Sequence, residues 1–218
     1  LHDALPFCIA FQIMGGLRCG EIVNLLISSI NPKLSDNRLY ADIKDNQTIL
    51  FYNRNIDNDK CQVKKERDNQ PIFNFNGDIF RLWDKHLLML KTLKKRSNKK
   101  ALFIDDYGNP MTGAVYQKKF KSLKKIFLNK LRERKYSIAK NYEDNYKWGT
   151  HIGRHIFTNH LLFHGLCNDA TKKPSARILA NLRGDYNEKS ALAYIDDITI
   201  ANIVGQNIQE LSELADNE

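Results

Sequence analysis

Two arginine-centred motifs and one tyrosine stand at widely separated points of the chain, and this separation restricts the folds that are open to it. The motifs are Gly-Leu-Arg-Cys-Gly-Glu at 16–21 and His-Ile-Gly-Arg at 151–154, and the tyrosine is Tyr194. Arginine binds phosphate through paired hydrogen bonds, and tyrosine can attack it to form a covalent intermediate. If these groups act together, the fold must bring distant parts of the chain to one place.

The composition is that of a basic globular protein. The chain has 218 residues, of which 42% are hydrophobic and 27% charged, and its formal net charge is +9. This length fits one large domain or two small ones. The charge favours a polyanionic partner such as nucleic acid, with a merely basic protein as the alternative.

The cysteines and the apolar segments indicate the compartment. Cys8, Cys19, Cys61 and Cys167 have neither disulfide nor metal spacing, which favours a reduced intracellular protein. The chain shows no signal peptide, and no apolar run approaches the roughly 18–20 residues that span a bilayer. These features predict a cytoplasmic protein without membrane contact.

Hydrophobic periodicity predicts an α+β fold that is mainly helical, with one small sheet. Arg38–Ile43, Thr48–Tyr52 and Pro71–Phe75 read as strands joined by polar turns, which predicts a three-stranded antiparallel sheet. The predicted helices span 4–14, 18–26, 80–93, 112–134, 151–164, 174–182 and 190–195.

The first arginine motif resembles the first arginine box of the tyrosine recombinase (phage integrase) family. An arginine three residues before a glutamate is otherwise most often a helical surface pair. In the family, the box precedes an apolar helix, as it does here. The matching residues are Gly16, Leu17, Arg18, Glu21, Ile22 and Leu25.

The second motif resembles the family's His-x-x-Arg-His box, which also opens an apolar helix. The resemblance implies that Arg154 and Arg18 clamp the scissile phosphate. It implies that His151 transfers a proton or donates a hydrogen bond there, and His155 is expected to serve packing or local hydrogen bonds.

A metal site is an alternative use of the histidines that follow this box. His160 and His164 are four residues apart on the predicted helix, and Cys167 follows them. Such spacing permits two ligands on one helix face, but no fourth ligand with suitable local spacing is visible. Neither a metal nor a cofactor is therefore predicted.

The segment 179–196 resembles the last family box and implies that Tyr194 is the nucleophile; Tyr186 lies too near the glycine turn. The family usually has a histidine or tryptophan nine positions before the tyrosine, where this chain has Asp185. An ionised carboxylate cannot donate a hydrogen bond to phosphate. Three explanations are open: Asp185 is protonated, Arg183 or another group takes the place of the usual histidine, or activity is reduced. Asp185 could also cap the following helix.

The family also has a lysine on a β-hairpin between the two arginine boxes, and by resemblance it protonates the leaving 5′ oxygen. The lysine-rich turn at 64–67 suits this role. Lys65 is the preferred candidate, Lys64 is nearly equal, and Lys60 is a third. Exposed hairpin lysines are common, so the residue pattern does not choose among them.

The resemblance implies a site-specific DNA recombinase or integrase that works through a 3′-phosphotyrosyl intermediate. Its partners would be double-stranded DNA, three further copies in a homo-tetramer and accessory DNA-bending proteins, and its source a prokaryote or mobile element such as a transposon. Residues 1–197 would form the catalytic domain. The tail helix, 198–218, would dock on a neighbouring subunit or fold back, and an N-terminal DNA-binding domain is expected to be missing.

Three other functions compete with this interpretation. A type IB topoisomerase uses similar phosphate chemistry on a single duplex. A DNA-binding relative of the family that has lost cleavage is supported by Asp185. A basic helical interaction module would need neither of the two arginines nor Tyr194.

Overall fold

The computed structural model describes residues 4–52, 61–135 and 149–196 and the single positions 137, 139, 140 and 143. The predicted tail helix lies outside the described residues. The chain divides into two compact units, Leu1–Phe157 and Thr158–Glu218.

The first unit begins with helix α1, Leu5–Gly15, which ends one residue after the predicted position. Gly16 follows it in the left-handed region with φ 66°, and its N–H donates to the carbonyl of Gln12. A Cβ at position 16 would lie 2.4 Å from the ring of Phe157. Backbone conformation and space therefore both require glycine here.

The predicted three-stranded antiparallel sheet is confirmed. Its strands are β1 (Ile30–Lys33), β2 (Arg38–Ile43) and β3 (Arg67–Phe73), in the order β1-β2-β3. Strand β2 alternates buried and half-buried residues, as expected for a strand with one face on the core.

The membership of the sheet differs from the prediction, because residues 48–52 do not form a strand. Helix α3 spans Gln47–Phe51 instead. The Asn24 side chain accepts from the backbone N–H of Asn46, and the Asn46 side chain donates to the Asn24 carbonyl. This pairing of two distant asparagines fixes the chain just before α3.

Strand β1 takes the place of the wrongly predicted strand. Asn31 and Pro32 lie within β1, opposite Tyr40 and Leu39. Because β1 is an edge strand, the missing N–H of the proline need not leave a hydrogen bond unmade.

Among the described residues, the first unit also contains helices α2 (Cys19–Val23), α4 (Ile79–Thr92) and α5 (Gly113–Arg134). Helix α2 is shorter than predicted, because Leu25 and Leu26 pair with the segment 101–102. Thr112 caps α5, since its hydroxyl accepts from the backbone N–H of Val115.

Helix α6, Ile152–Phe163, contains the boundary between the two units. In the second unit, α7 spans Ala176–Arg183 after the cap residue Ser175, two residues later than predicted. Helix α8 covers the described residues 189–196. Within the described ranges, no helix combines the length and apolar character that crossing a lipid bilayer requires.

Candidate functional site

Arg18 is the residue at which α2 begins. Its backbone is extended, and the Glu21 carboxylate accepts from its backbone N–H at 2.7 Å and from its Nη1 at 3.0 Å. One carboxylate thus caps the helix and holds the arginine side chain, of which 22% is exposed. Arg18 can therefore present its guanidinium to solvent in a fixed position.

Glu21 is completely buried and also binds Arg67, whose Nη1 lies 2.8 Å from its Oε1. Burial by itself raises the pKa of Glu21, but the hydrogen bonds and charges of Arg67 and Arg18 outweigh that effect and lower the pKa overall. Glu21 is therefore a buried anion shared by two arginines.

Arg67 opens strand β3 and was not among the residues that the sequence analysis identified. Besides Glu21, its Nη1 contacts the backbone carbonyl of Lys65 at 3.0 Å, and its Nε donates to Gln70. The only sequence signal was an arginine at the end of the lysine-rich stretch 64–67, a position that resembles many exposed hairpin cations.

The lysine turn, defined as residues 62–66, packs against helix α2. A Cβ at Gly20 would lie 2.1 Å from the backbone oxygen of Gln62. Just before the turn, the carbonyl of Cys61 accepts from the side chain of Asn24. The turn is thus fixed beside the helix that Arg18 begins.

The three candidate lysines are placed differently. Lys64 is exposed and Lys65 is half-buried, both within the lysine turn. Lys60 lies outside the described residues. The choice of Lys65 as proton donor stays a prediction.

Gly20→Ala is expected to lower the free energy of unfolding by about 1–3 kcal/mol, because the new methyl group would overlap the backbone of the lysine turn. Gly149→Ala is the matched control, since a Cβ there would meet nothing within 4 Å. Chemical denaturation of both variants measures the difference. Equal stability of the two would show that the turn does not pack on α2 in this way.

Arg154 lies in the first turn of α6, and its side chain is buried, with 1% of the residue exposed. Its Nη1 donates to the carbonyl of Gly16 at 2.6 Å. The two arginine motifs therefore meet, because Gly16 precedes Arg18 by two residues. His151 is exposed just before α6, and its ring lies against that of His155 with 5.1 Å between centroids.

In the second unit, Tyr194 lies on α8 and is half-buried. The Arg183 guanidinium carbon lies over the Tyr194 ring, 4.6 Å from its centroid. This cation–π contact fixes one face of the phenol. Tyr186 is 74% exposed.

Asp185 is paired with a cation. Its Oδ2 lies 2.9 Å from Nε of Arg183 and accepts from the hydroxyl of Ser190 at 3.1 Å. These contacts give the Asp185 side chain a cation and a hydroxyl donor as partners. The Asn187 side chain accepts from the backbone N–H of Lys189 at the start of α8.

Of the predicted site residues, the first unit therefore holds Arg18, Lys65, His151 and Arg154, and the second unit holds Asp185 and Tyr194. The alternative metal site is not supported. Among the described residues, which include His160, His164 and Cys167, no group of three or more suitable side chains could hold a metal ion. The His160 and His164 rings instead lie against each other, 4.1 Å apart.

No protein-family model matches the chain, and no curated protein matches it. Solved structures do match it. The XerA recombinase has a TM-score of 0.56 and 15% sequence identity, over 93% of this chain and 56% of that chain.

Two further similar structures are complexes with DNA. XerH site-specific recombinase bound to its difH substrate has a TM-score of 0.55 and 16% identity, over 87% of this chain and 42% of that chain. The Tn1549 transposon integrase in complex with a circular-intermediate DNA has a TM-score of 0.53 and 16% identity, over 86% of this chain and 52% of that chain. The chain thus spans about half the length of these recombinases, and it has the fold of a tyrosine recombinase catalytic domain.

Proposed function

We propose that the chain cleaves and rejoins DNA as the catalytic domain of a site-specific recombinase, through a 3′-phosphotyrosyl intermediate. The observation that supports this most is the hydrogen bond from Arg154 to the carbonyl of Gly16. It joins the two arginine motifs across 138 positions of sequence. A basic helical interaction module would not require this convergence.

The proposed reaction is a transesterification at phosphorus. The hydroxyl oxygen of Tyr194 forms the new bond to phosphorus, and the bond to the 5′ oxygen breaks. Arg18 and Arg154 stabilise the negative charge on the non-bridging oxygens. The phenol proton passes to His151 or to solvent, and Lys65 protonates the leaving 5′ oxygen.

Rejoining follows from the same chemistry run backwards. The phosphotyrosyl ester is equivalent in bond type to the phosphodiester that it replaced. A 5′ hydroxyl from another strand can therefore displace the tyrosine without any external energy source. Attack by a new partner strand would produce recombination.

The contacts of Arg183 are an argument for activity, even though Asp185 stands where the family usually has a histidine or tryptophan. It neutralises the Asp185 carboxylate and lies over the ring of the proposed nucleophile. We infer that Arg183 supplies the cationic character that the family's usual histidine would provide. A second candidate function, DNA binding without cleavage, is favoured by the same ion pair, because a carboxylate remains where a hydrogen-bond donor is usual.

DNA binding is proposed to involve helix α5. Its exposed lysines suit contacts to a phosphate backbone, and each such contact steepens the salt dependence of binding. The exposed lysines of α5 are Lys118, Lys121, Lys125 and Lys130.

Since Arg154 is buried, its guanidinium must become accessible when a phosphate binds.

Double-stranded DNA is therefore the proposed partner, in line with the DNA named for XerH and for the Tn1549 integrase. The homo-tetramer and the accessory DNA-bending proteins stay predictions. The same holds for docking of the tail helix on a neighbouring subunit.

Covalent capture tests the proposal without knowledge of the target site. The chain is incubated with a library of nicked duplexes that have a randomised central segment, denatured, and separated from unattached DNA. Mass spectrometry of the captured protein is expected to place a 3′-linked nucleotide on the peptide that contains Tyr194. Salt-sensitive DNA binding with no captured DNA would favour the second candidate function instead.

A further inference from the structure

Arg67 connects three elements of the proposed site. It binds the buried carboxylate of Glu21, which holds Arg18, and it contacts the backbone carbonyl of Lys65. Its side chain is only 12% exposed. An arginine on a surface hairpin would not have such a set of buried partners.

We propose that Arg67 is a positioning residue that holds the lysine turn beside Arg18, so that Lys65 reaches the leaving 5′ oxygen. This inference rests on the proposed function. Arg67 itself contacts neither the phosphate nor the leaving group in the proposed reaction.

The geometry of arginine explains why this residue suits the position. A planar guanidinium presents several N–H donors in fixed directions. Arg67 uses them toward Glu21, the Lys65 carbonyl and Gln70 at the same time. A lysine would keep the positive charge beside Glu21 but could not reproduce this arrangement.

The lysine turn has other attachments, which limits what Arg67 contributes. The turn packs on Gly20 through Gln62, and Asp45 donates its backbone N–H to Glu66. These contacts hold Gln62, at the beginning of the turn, and the exposed side chain of Glu66. Arg67 binds the backbone carbonyl of Lys65, so we expect loss of Arg67 to displace the lysine without unfolding the turn.

The variant for the test is Arg67→Lys, which keeps the charge that Glu21 requires. Arg81→Lys is the matched control, because Arg81 is exposed and paired only with Asp78 among the ion pairs of the described residues. Lys65→Ala reports directly on the proposed proton donor. Thermal unfolding confirms that each variant is folded.

The substrate is a nicked duplex of the sequence recovered by covalent capture, made with either oxygen or sulfur at the 5′ bridging position. In both cases the Tyr194 oxygen bonds to phosphorus and the bridging bond breaks. A thiol is far more acidic than an alcohol, so sulfur leaves as a thiolate and needs no proton donor.

With the oxygen substrate, Arg67→Lys and Lys65→Ala are expected to cleave about 10²-fold more slowly than the original chain, while Arg81→Lys is unchanged. With the sulfur substrate, both deficits are expected to disappear. A general loss of structure would slow both substrates equally. A deficit of either variant that persists with sulfur overturns the proposal.

Amide hydrogen exchange of the DNA-free protein provides a second measurement that needs no activity. Residues 62–66 are expected to exchange faster in Arg67→Lys than in the original chain or in Arg81→Lys. Unchanged exchange overturns the proposal. If the original chain forms no covalent adduct, the proposed function fails, and the exchange measurement alone decides whether Arg67 holds the turn.

Discussion

Tyr194→Phe is expected to abolish the covalent protein–DNA adduct while leaving DNA binding intact. Phenylalanine lacks the hydroxyl oxygen that forms the bond to phosphorus, so the expected loss of adduct formation exceeds about 10³-fold. Phenylalanine keeps the ring that contacts Arg183. The variant is therefore expected to fold as the original chain does.

Tyr186→Phe is the control for this prediction, since Tyr186 is exposed and lies eight positions before Tyr194. Adduct formation is measured after denaturation, and binding is measured at the same salt concentration. An adduct that persists in Tyr194→Phe and disappears in Tyr186→Phe would show that Tyr186, and not Tyr194, is the nucleophile.

Glu21→Gln is expected to lower the free energy of unfolding by about 3 kcal/mol at neutral pH, toward the lower end of the range for removing one partner of a buried ion pair. Arg18 and Arg67 would lose the charge that both of them bind. Glutamine still accepts a hydrogen bond, which limits the loss. Denaturant midpoints measure the effect, with the exposed Glu133→Gln as control.

The difference between Glu21→Gln and the original chain should depend on pH in a defined direction. The pKa of Glu21 lies below its usual value of 4.5 in the folded chain, so the stabilisation is complete above about pH 4.5. It is lost as the pH falls through the lowered pKa, where the carboxylate takes up a proton. A difference that stays constant into the acid range would exclude Glu21 as the cause.

Several helix ends were predictable because local signals determine them. Gly16, Gly165 and Gly184 each adopt positive φ at or just after a helix end. Thr112 stands where its hydroxyl can accept from the first turn of α5. Such signals depend only on neighbouring residues and can be read from a single sequence.

The strand at 48–52 was wrongly predicted because a distant contact decides its structure. The β-branched and aromatic residues of 48–52 suit a strand, but the pairing of Asn24 with Asn46 fixes the chain at the start of α3. Nothing in the local pattern indicates which asparagine another asparagine will bind. Strand β1 was overlooked for a related reason, since a proline is compatible with a strand only at a sheet edge.

The resemblance to the family motifs proposes part of the candidate site, and the roles of those residues stay predictions. Arg18 and Arg154 could be selected because the family motifs contain them, and the structure brings their motifs together at Gly16. Arg67 could not be selected, because its role depends on the buried carboxylate of Glu21. Burial of a carboxylate beside two arginines is a tertiary property that an isolated Arg-x-x-Glu pattern does not reveal.

The shared anion Glu21 has a consequence for DNA affinity. The cluster of Arg18, Arg67 and Glu21 carries one net positive charge, and Glu21→Gln would raise this net charge to two. One additional charge near a phosphate would tighten binding and steepen the salt dependence by up to about 0.9 in logarithmic slope. Under the proposed function, Glu21 weakens the attraction of DNA while it orders the arginines, so a screen for tight binders would discard this glutamate and a screen for cleavage would keep it.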